Sequence, residues 1–421
     1  MPDPRSLFAR LHPLQRLAVG VWVALLLGVA GRVLFAPVRS HTVVPIYLGA
    51  AERWVGGESL YAANWPLDVY RNPPGFAAAF VPFTLLPERA AGLLWRGLSV
   101  AALLGGLAAW VRHGLYRPLT PAETGAAFAL VAVPAIPSVN NGQTNTVIVG
   151  LLLFGATAAV RGWGGRAGAW LAAAAAVKVY PVAVALLVAA ARPKRVGPWL
   201  VGGCVAFAAV PFALQHPGYV AAEYRNMRDS VTADDRTFAD VNRAPQDLYF
   251  ALRVWAVAPP PGAYLAFKLA AAAAMAGFVA FAARRTGDPR VAVPLAFDLG
   301  CVWVTLLGPA TEVHTYGILG PTAAVALVTA AAGRKSAGGR ARAALAAVGF
   351  TLLVFPIVRD MFPNGKPTHA LGLPPVGAAL VFGAVVWAGV RLVLDAPRAG
   401  GGLRATERNQ ACRTDPASRA A

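Results

Sequence analysis

Between Leu17 and Leu394 the chain returns repeatedly to apolar runs about 20 residues long, which is the length of helix that crosses a hydrocarbon core roughly 30 Å thick. Lipid offers no water to the backbone, so each run must satisfy its own N–H and C=O groups, and an α-helix does this. The fold class that follows is all-α, integral to the membrane and polytopic. With 57% hydrophobic and only 14% charged residues, there is no room for a large soluble domain beside it. Function must therefore come from the loops and from polar residues inside the spans.

The formal charge of +19 would suit a nucleic-acid partner if it formed one patch. Instead most basic residues fall in short segments between apolar runs and in the two tails, the pattern that sets membrane orientation. No nucleic acid is expected. Cys204, Cys301 and Cys412 form neither a disulfide framework nor a zinc pattern and read as small apolar residues. There is no phosphate-binding glycine loop, metal-ligand cluster or serine nucleophile signature, and no cofactor is implied. The frequent glycines suit close helix packing in lipid.

In chain order, residues 1–16 carry Arg5, Arg10 and Arg16 ahead of an apolar run from Leu17 to Phe35. Leu34-Phe35-Ala36 lacks the small residue that signal peptidase needs, so this run is expected to stay as an anchor with a cytoplasmic N-terminus. Residues 17–395 form the membrane domain, with about 12 apolar helices and two longer outer loops, about 38–74 and 215–261. Gly75 to Leu86 is short for a span and either crosses with help or re-enters. The run from Ala122 is expected to break at Pro134 and Pro137, and Ala167 to Ala190 is one apolar stretch interrupted at Lys178-Val179-Tyr180-Pro181. The tail 396–421, rich in glycine, arginine and alanine, is expected to be disordered and cytoplasmic.

Segments 284–290 and 333–342 are basic and fall on the tail's side. If every run crossed once, Arg112, Arg117, Arg161 and Arg166 would land outside, against the positive-inside rule. A re-entrant Gly75 run and a break at Lys178 to Pro181 relieve both conflicts. Most of the acids then lie outside, including Glu223, Asp229 and Asp247 of the second loop.

The succession AAERWVGGESLY, the turn Tyr70-Arg71-Asn72-Pro73-Pro74, PFTLLP, LLWRGLS, NGQTNTVIVGLLL and AGAWLAAAAAVKVYP resembles the polyprenol-phosphate-dependent glycosyltransferases of family 87. The match covers roughly residues 41 to 320 and has weaker support beyond. The resemblance implies a GT-C architecture in the cell membrane and a transferase, mannosyltransferases being the type. Such an enzyme moves a hexose from a polyprenyl-phosphate sugar to a lipid or glycan acceptor, by inversion and without a nucleotide sugar. It also implies an acidic base in the first outer loop.

In that family an aspartate precedes a Tyr-Tyr pair at the start of this loop. Laid on Tyr47 and Leu48, its position falls at about Val43, near His41. This departure keeps a second reading open, a non-catalytic protein of the same fold or a polyprenyl-lipid carrier or flippase that binds without transfer.

Three acids could substitute. Glu52 lies in a short amphipathic helix expected at the membrane surface, with Tyr47, Ala51 and Trp54 toward lipid; Asp68 precedes Tyr70 and Arg71; Glu312 stands beside His314, which matches a histidine of a family motif. For each the alternative is a solvated or turn-forming acid. Lys178 matches the family's lysine before a proline, and a lysine within an apolar run costs about 2.5–3.5 kcal/mol, so it should pair with an anion or line a polar cavity. Arg71, Tyr70 and Arg243 could add contacts to a phosphate. Asn140, Gln143 and Asn145 could hold sugar hydroxyls, or could simply form a turn. Asn242 and Gln246 match the family more loosely. Asp298, inside a span, is expected to pair with a nearby polar group.

Overall fold

The computed structural model describes residues 10–37, 39–40, 42–62, 69–233, 244–255, 257–308, 311–359 and 371–396. His41, Asp68, Asn242, Arg243, Cys412 and the tail lie outside the described residues. Every regular element among those described is helical: α1 (Pro13–Phe35), α2 (Val44–Gly56), α3 (Pro74–Phe80) running into a 3-10 turn (Val81–Leu85), α4 (Glu88–His113), α5 (Pro121–Asn141), α6 (Asn145–Val160), α7 (Gly164–Val177), α8 (Val182–Ala191) and α9 (Pro193–Leu214). The chain continues through α10 (Pro217–Ala233), α11 (Leu248–Val254), α12 (Pro261–Thr286), α13 (Pro289–Leu306), a 3-10 segment (Val313–Leu319), α14 (Gly320–Ala332), α15 (Ala337–Arg359) and α16 (Leu373–Asp395). Proline opens α1, α3, α5, α9, α12 and α13. Its fixed φ suits the first helical position, where its missing N–H is not needed.

Nine helices among the described residues are long and apolar enough to cross a membrane, and three shorter apolar helices accompany them. The helices α1, α9 and α12 keep most of their surface outward and show apolar side chains such as Leu27, Trp199 and Leu269. Facing lipid, those groups cost nothing.

Side-chain contacts assign the helix ends to two faces of the bundle. At one face Arg39 approaches Glu88 at 4.0 Å, Asn72 donates to the Val177 carbonyl and Gln215 donates to the Trp54 carbonyl. This face, the loop end, therefore holds both long loops. At the other, Arg112, Arg161 and Arg290 lie within electrostatic reach of His113, Arg117 lies near Arg342, and Arg285 donates to the Ala396 carbonyl. Here Arg117 grips Glu123 through two hydrogen bonds of 2.6 and 2.9 Å, and Glu123 closes a capping box with Thr120.

This arrangement decides between the alternatives that the sequence left open in the middle of the chain, and it agrees with the re-entrant run and the break at Lys178 to Pro181. Residues 74–85 begin and end at the loop end, so they re-enter rather than cross. The stretch from Ala167 to Ala190 is a helical hairpin rather than one broken span, with α7 rising to the loop end, Lys178 to Pro181 forming the apex and α8 descending. Together these two features put Arg112, Arg117, Arg161 and Arg166 at the same end as 284–290 and 333–342. The conflict with the positive-inside rule disappears.

Prolines 134 and 137 do not break α5, which runs unbroken to Asn141. Neighbouring helices hold it in place: Gly317 and Gly320 lie so close that an added Cβ would stand 3.1 Å from the Pro134 carbonyl oxygen and 3.0 Å from its ring. Likewise α4 and α6 meet at Gly106 and Gly150, where a Cβ on Gly106 would stand 2.6 Å from the Gly150 carbonyl. Only glycine permits that approach.

Helix length shapes the loop end. The 16, 14 and 10 residues of α6, α7 and α8 rise about 24, 21 and 15 Å, against about 33 to 39 Å for helices of 22 to 26 residues. The Lys178 apex and the start of α6 consequently lie at the centre of the loop end, beneath the level that the longer helices reach.

Candidate functional site

The polar cluster at the loop end is built on the turn that joins α5 to α6. Gly142 adopts φ 74°, a left-handed conformation that glycine takes without strain, and the turn closes with Gln143 N donating to the Ser138 carbonyl. The carbonyls left over at the end of α5 are clamped from behind. Arg96 donates to Val139 O, Asn140 O, Gly92 O and the Thr42 hydroxyl, Arg32 donates to Asn140 O at 2.6 Å, and Trp95 donates to Gly142 O. Guanidinium charge at a helix C-terminus complements the helix dipole.

With its carbonyls held, the turn presents its side chains forward. Asn141 Nδ2 stands 3.1 Å from His314 Nε2, and Asn145 donates to the His314 carbonyl at 2.9 Å. The Tyr180 hydroxyl donates to Asn145 Oδ1. On the far side of the ring, His314 Nδ1 is 3.8 Å from Glu312 Oε2, too long for a hydrogen bond. Lys178 completes the group, with Nζ 5.3 Å from the Tyr180 ring centroid and its charge acting on His314.

The position that lacks its aspartate adjoins this cluster. Val43 N donates to the Asn141 carbonyl at 3.0 Å, and the Thr42 hydroxyl donates to the same oxygen. From Val43 the contacts run through Asn141 to His314 and on to Glu312. Glu312 is thus linked to the Val43 position through two intervening residues.

Other sequence candidates are used differently. Glu52 is exposed on the face of α2 opposite Tyr47, Ala51 and Trp54. Those three face the protein rather than lipid: Tyr47 packs edge-on against Phe76, Phe80 and Trp95, and Trp54 against Tyr219. The bulky re-entrant segment supplies an apolar wall better matched to aromatic rings than a fluid surface. Tyr70 is buried with its hydroxyl bonded to Pro73 O. Its neighbour Asn72 pins Val177 and thereby the Lys178 apex, and Arg71 is half-buried beside it. Asn145 is 1% exposed with both ends of its amide engaged, so it orients the cluster. The Asn140 carbonyl serves the arginine clamp, while Gln143 is half-buried in the turn. Asp298 does pair with a polar group, accepting from the Thr322 hydroxyl at 2.7 Å.

Two acids of the second loop turn out to be buried, a state their spacing in sequence did not signal. Glu223 accepts from Leu60 N and from Asn226 with its two oxygens, tying α10 to the first loop. Asp247 caps α11 through Phe250 N, next to Gln246, whose N–H bonds Thr311 O and whose carbonyl accepts from Tyr316. Burial pushes the Asp247 carboxyl up to about 6.

That shift has a measurable consequence. Asp247 has a higher pKa folded than unfolded, so ionising it opposes folding, and the protein should lose stability from this group as pH rises from about 4 to about 6. A shift of about two units corresponds to roughly 3 kcal/mol. Asp247→Asn keeps the cap acceptor, so melts at acid and neutral pH should show a flatter pH slope than wild type. Identical slopes would rule the effect out.

A polytopic helical bundle that gathers an ammonium, an imidazole, a carboxylate and oriented amides at one end is a membrane protein with a polar cluster at one face. A sequence profile of glycosyltransferase family 87 matches residues 70–309, and the chain belongs to that family. No curated protein matches the chain significantly. Among solved structures it is similar to ArnT from Cupriavidus metallidurans bound to undecaprenyl phosphate, at 15% identity over 89% of this chain and 77% of that one; the TM-score of 0.32 marks a loose likeness.

Proposed function

We propose that the protein transfers a hexose, mannose being the type, from a polyprenyl-phosphate sugar to a hydroxyl of a lipid or glycan acceptor at the outer face of the cell membrane, in a GT-C-like bundle. The acceptor oxygen attacks the anomeric carbon, the bond from that carbon to the phosphate oxygen breaks, and polyprenyl phosphate departs with the electron pair. Glu312 takes the hydroxyl proton, and His314, held by Asn141, orients the acceptor. Lys178 at the hairpin apex offers positive charge to the departing phosphate, with Arg71 and Arg243 as further cations from the loops.

The observation that carries this reading is the contact path from Val43 through Asn141 and His314 to Glu312, which links a carboxylate to the position where the family's aspartate would fall and supports Glu312 as the base. An outer position for the loop end is supported by the arginines at the opposite end, where Glu123, Asp288 and Asp395 are the acids among the described residues. The second reading, a carrier that binds polyprenyl lipid without transfer, is favoured by Val43 itself.

Purified protein given radiolabelled polyprenyl-phosphate mannose and a lipid extract of its host should form labelled product. Retention of the lipid with no product from any sugar donor would overturn the transferase reading in favour of the carrier.

A further inference from the structure

Beside the arginines that clamp the α5–α6 turn, a small recess opens between the end of α1, the start of α2 and the start of α4. It is lined by Arg32, Arg89, Arg96, Glu88, Ser40 and Thr42 among others. Three guanidiniums face one carboxylate there, and Arg39 stands at the edge, 4.0 Å from Glu88. Arg96 is 4% exposed and its contacts are all neutral oxygens. Arginines thus outnumber carboxylates three to one among the side chains that line the recess.

Two further features define what it would take. Glu88, although it lines a basic recess, has a buried Oε1 with no hydrogen-bond partner, an acceptor that a hydroxyl group would satisfy. The flanking surface is strongly apolar and outward: Phe35 is 88% exposed at the end of α1 and Leu85 is 85% exposed just before α4. A pocket with cations and one orphan acceptor, bordered by exposed apolar side chains at the end of a span, sits at the level of lipid headgroups.

We infer that this recess binds the headgroup of an anionic phospholipid that carries a free hydroxyl, with the phosphate against Arg39 and Arg89 and the hydroxyl on Glu88. It is separate from the proposed sugar-transfer site and connected to it through Arg32 and Arg96, which line the recess and hold the Asn140 carbonyl. The carbonyl of Asn140 faces the arginines and the amide of Asn141 faces His314.

The test uses the full chain in nanodiscs of phosphatidylcholine doped with phosphatidylglycerol, followed by detergent extraction and native mass spectrometry. Wild type should retain phosphatidylglycerol, and Arg39→Gln combined with Arg89→Gln should lower that retention about tenfold, because charge-assisted bonds to phosphate are lost. Both arginines are exposed, so the variant should melt like wild type in phosphatidylcholine alone; if the pair fails to fold, Arg89→Gln alone repeats the measurement. Glu88→Ala should weaken phosphatidylglycerol retention while leaving phosphatidic acid, which has no headgroup hydroxyl, unaffected or improved. Unchanged retention in the arginine variant overturns the site. Stabilisation by inorganic phosphate equal to that by phosphatidylglycerol overturns its assignment to a lipid.

Discussion

Replacing Glu312 with glutamine is expected to lower sugar transfer by about 100- to 10,000-fold, the usual contribution of a positioned general base, with little change in donor binding. Glutamine keeps the size and one acceptor oxygen but cannot take a proton. Because Glu312 is part-exposed, with 38% of its side chain accessible, the substitution should leave the fold intact. The control acid is Glu52, exposed on the opposite face of α2; its change to alanine should leave the rate within about twofold. Asn141→Ala should fall between these limits, since it loosens His314 without removing the carboxylate. Steady-state transfer of label from polyprenyl-phosphate mannose measures all three. Should Glu312→Gln keep nearly full activity while Asp68→Asn abolishes it, the base belongs to the first loop after all.

The helices were legible because their signal is long and redundant. Apolar runs, opening prolines and the break at Lys178 to Pro181 all leave marks in sequence, and the structure has helices wherever those marks fall. What the runs could not convey was direction. An apolar stretch bent back on itself at its middle has the same composition as one straight span, so the hairpin of α7 and α8 becomes visible only when Asn72 and Asn145 are seen to meet its apex.

The continuity of α5 through Pro134 and Pro137 was hidden for a different reason. The local rule that proline ends a helix is overridden when glycines on a neighbouring segment let that segment close on the kink, and those glycines lie some 180 residues further along the chain. The same separation obscured the site. His314 and Glu312 could be named from their local turn and Lys178 from its setting, but their partner Asn141 was one polar residue among several in a turn that reads as a helix start. Its pairing with His314 at 3.1 Å is a property of the packed bundle.

Arg96 is the residue whose loss should cost the fold most. Its guanidinium reaches four oxygens at 2.9 to 3.0 Å, and a hydrogen bond to a charged group is worth about 1.5–3 kcal/mol. Removing the side chain also relieves the burden of a buried charge, so the terms partly cancel, and Arg96→Ala is expected to destabilise by about 3–5 kcal/mol. Lysine should recover only part of this, because a single ammonium cannot span oxygens that the planar fork reaches from both edges. The effect is specific in direction: Val139 O and Asn140 O belong to the turn that carries Asn141, so what fails first is the placement of His314. Thermal melts in nanodiscs should rank wild type above Arg96→Lys and Arg96→Lys above Arg96→Ala. At temperatures where Arg96→Lys is still folded, its transfer rate should already be reduced. A lysine variant that is destabilised yet fully active would break the link between the arginine clamp and the polar cluster.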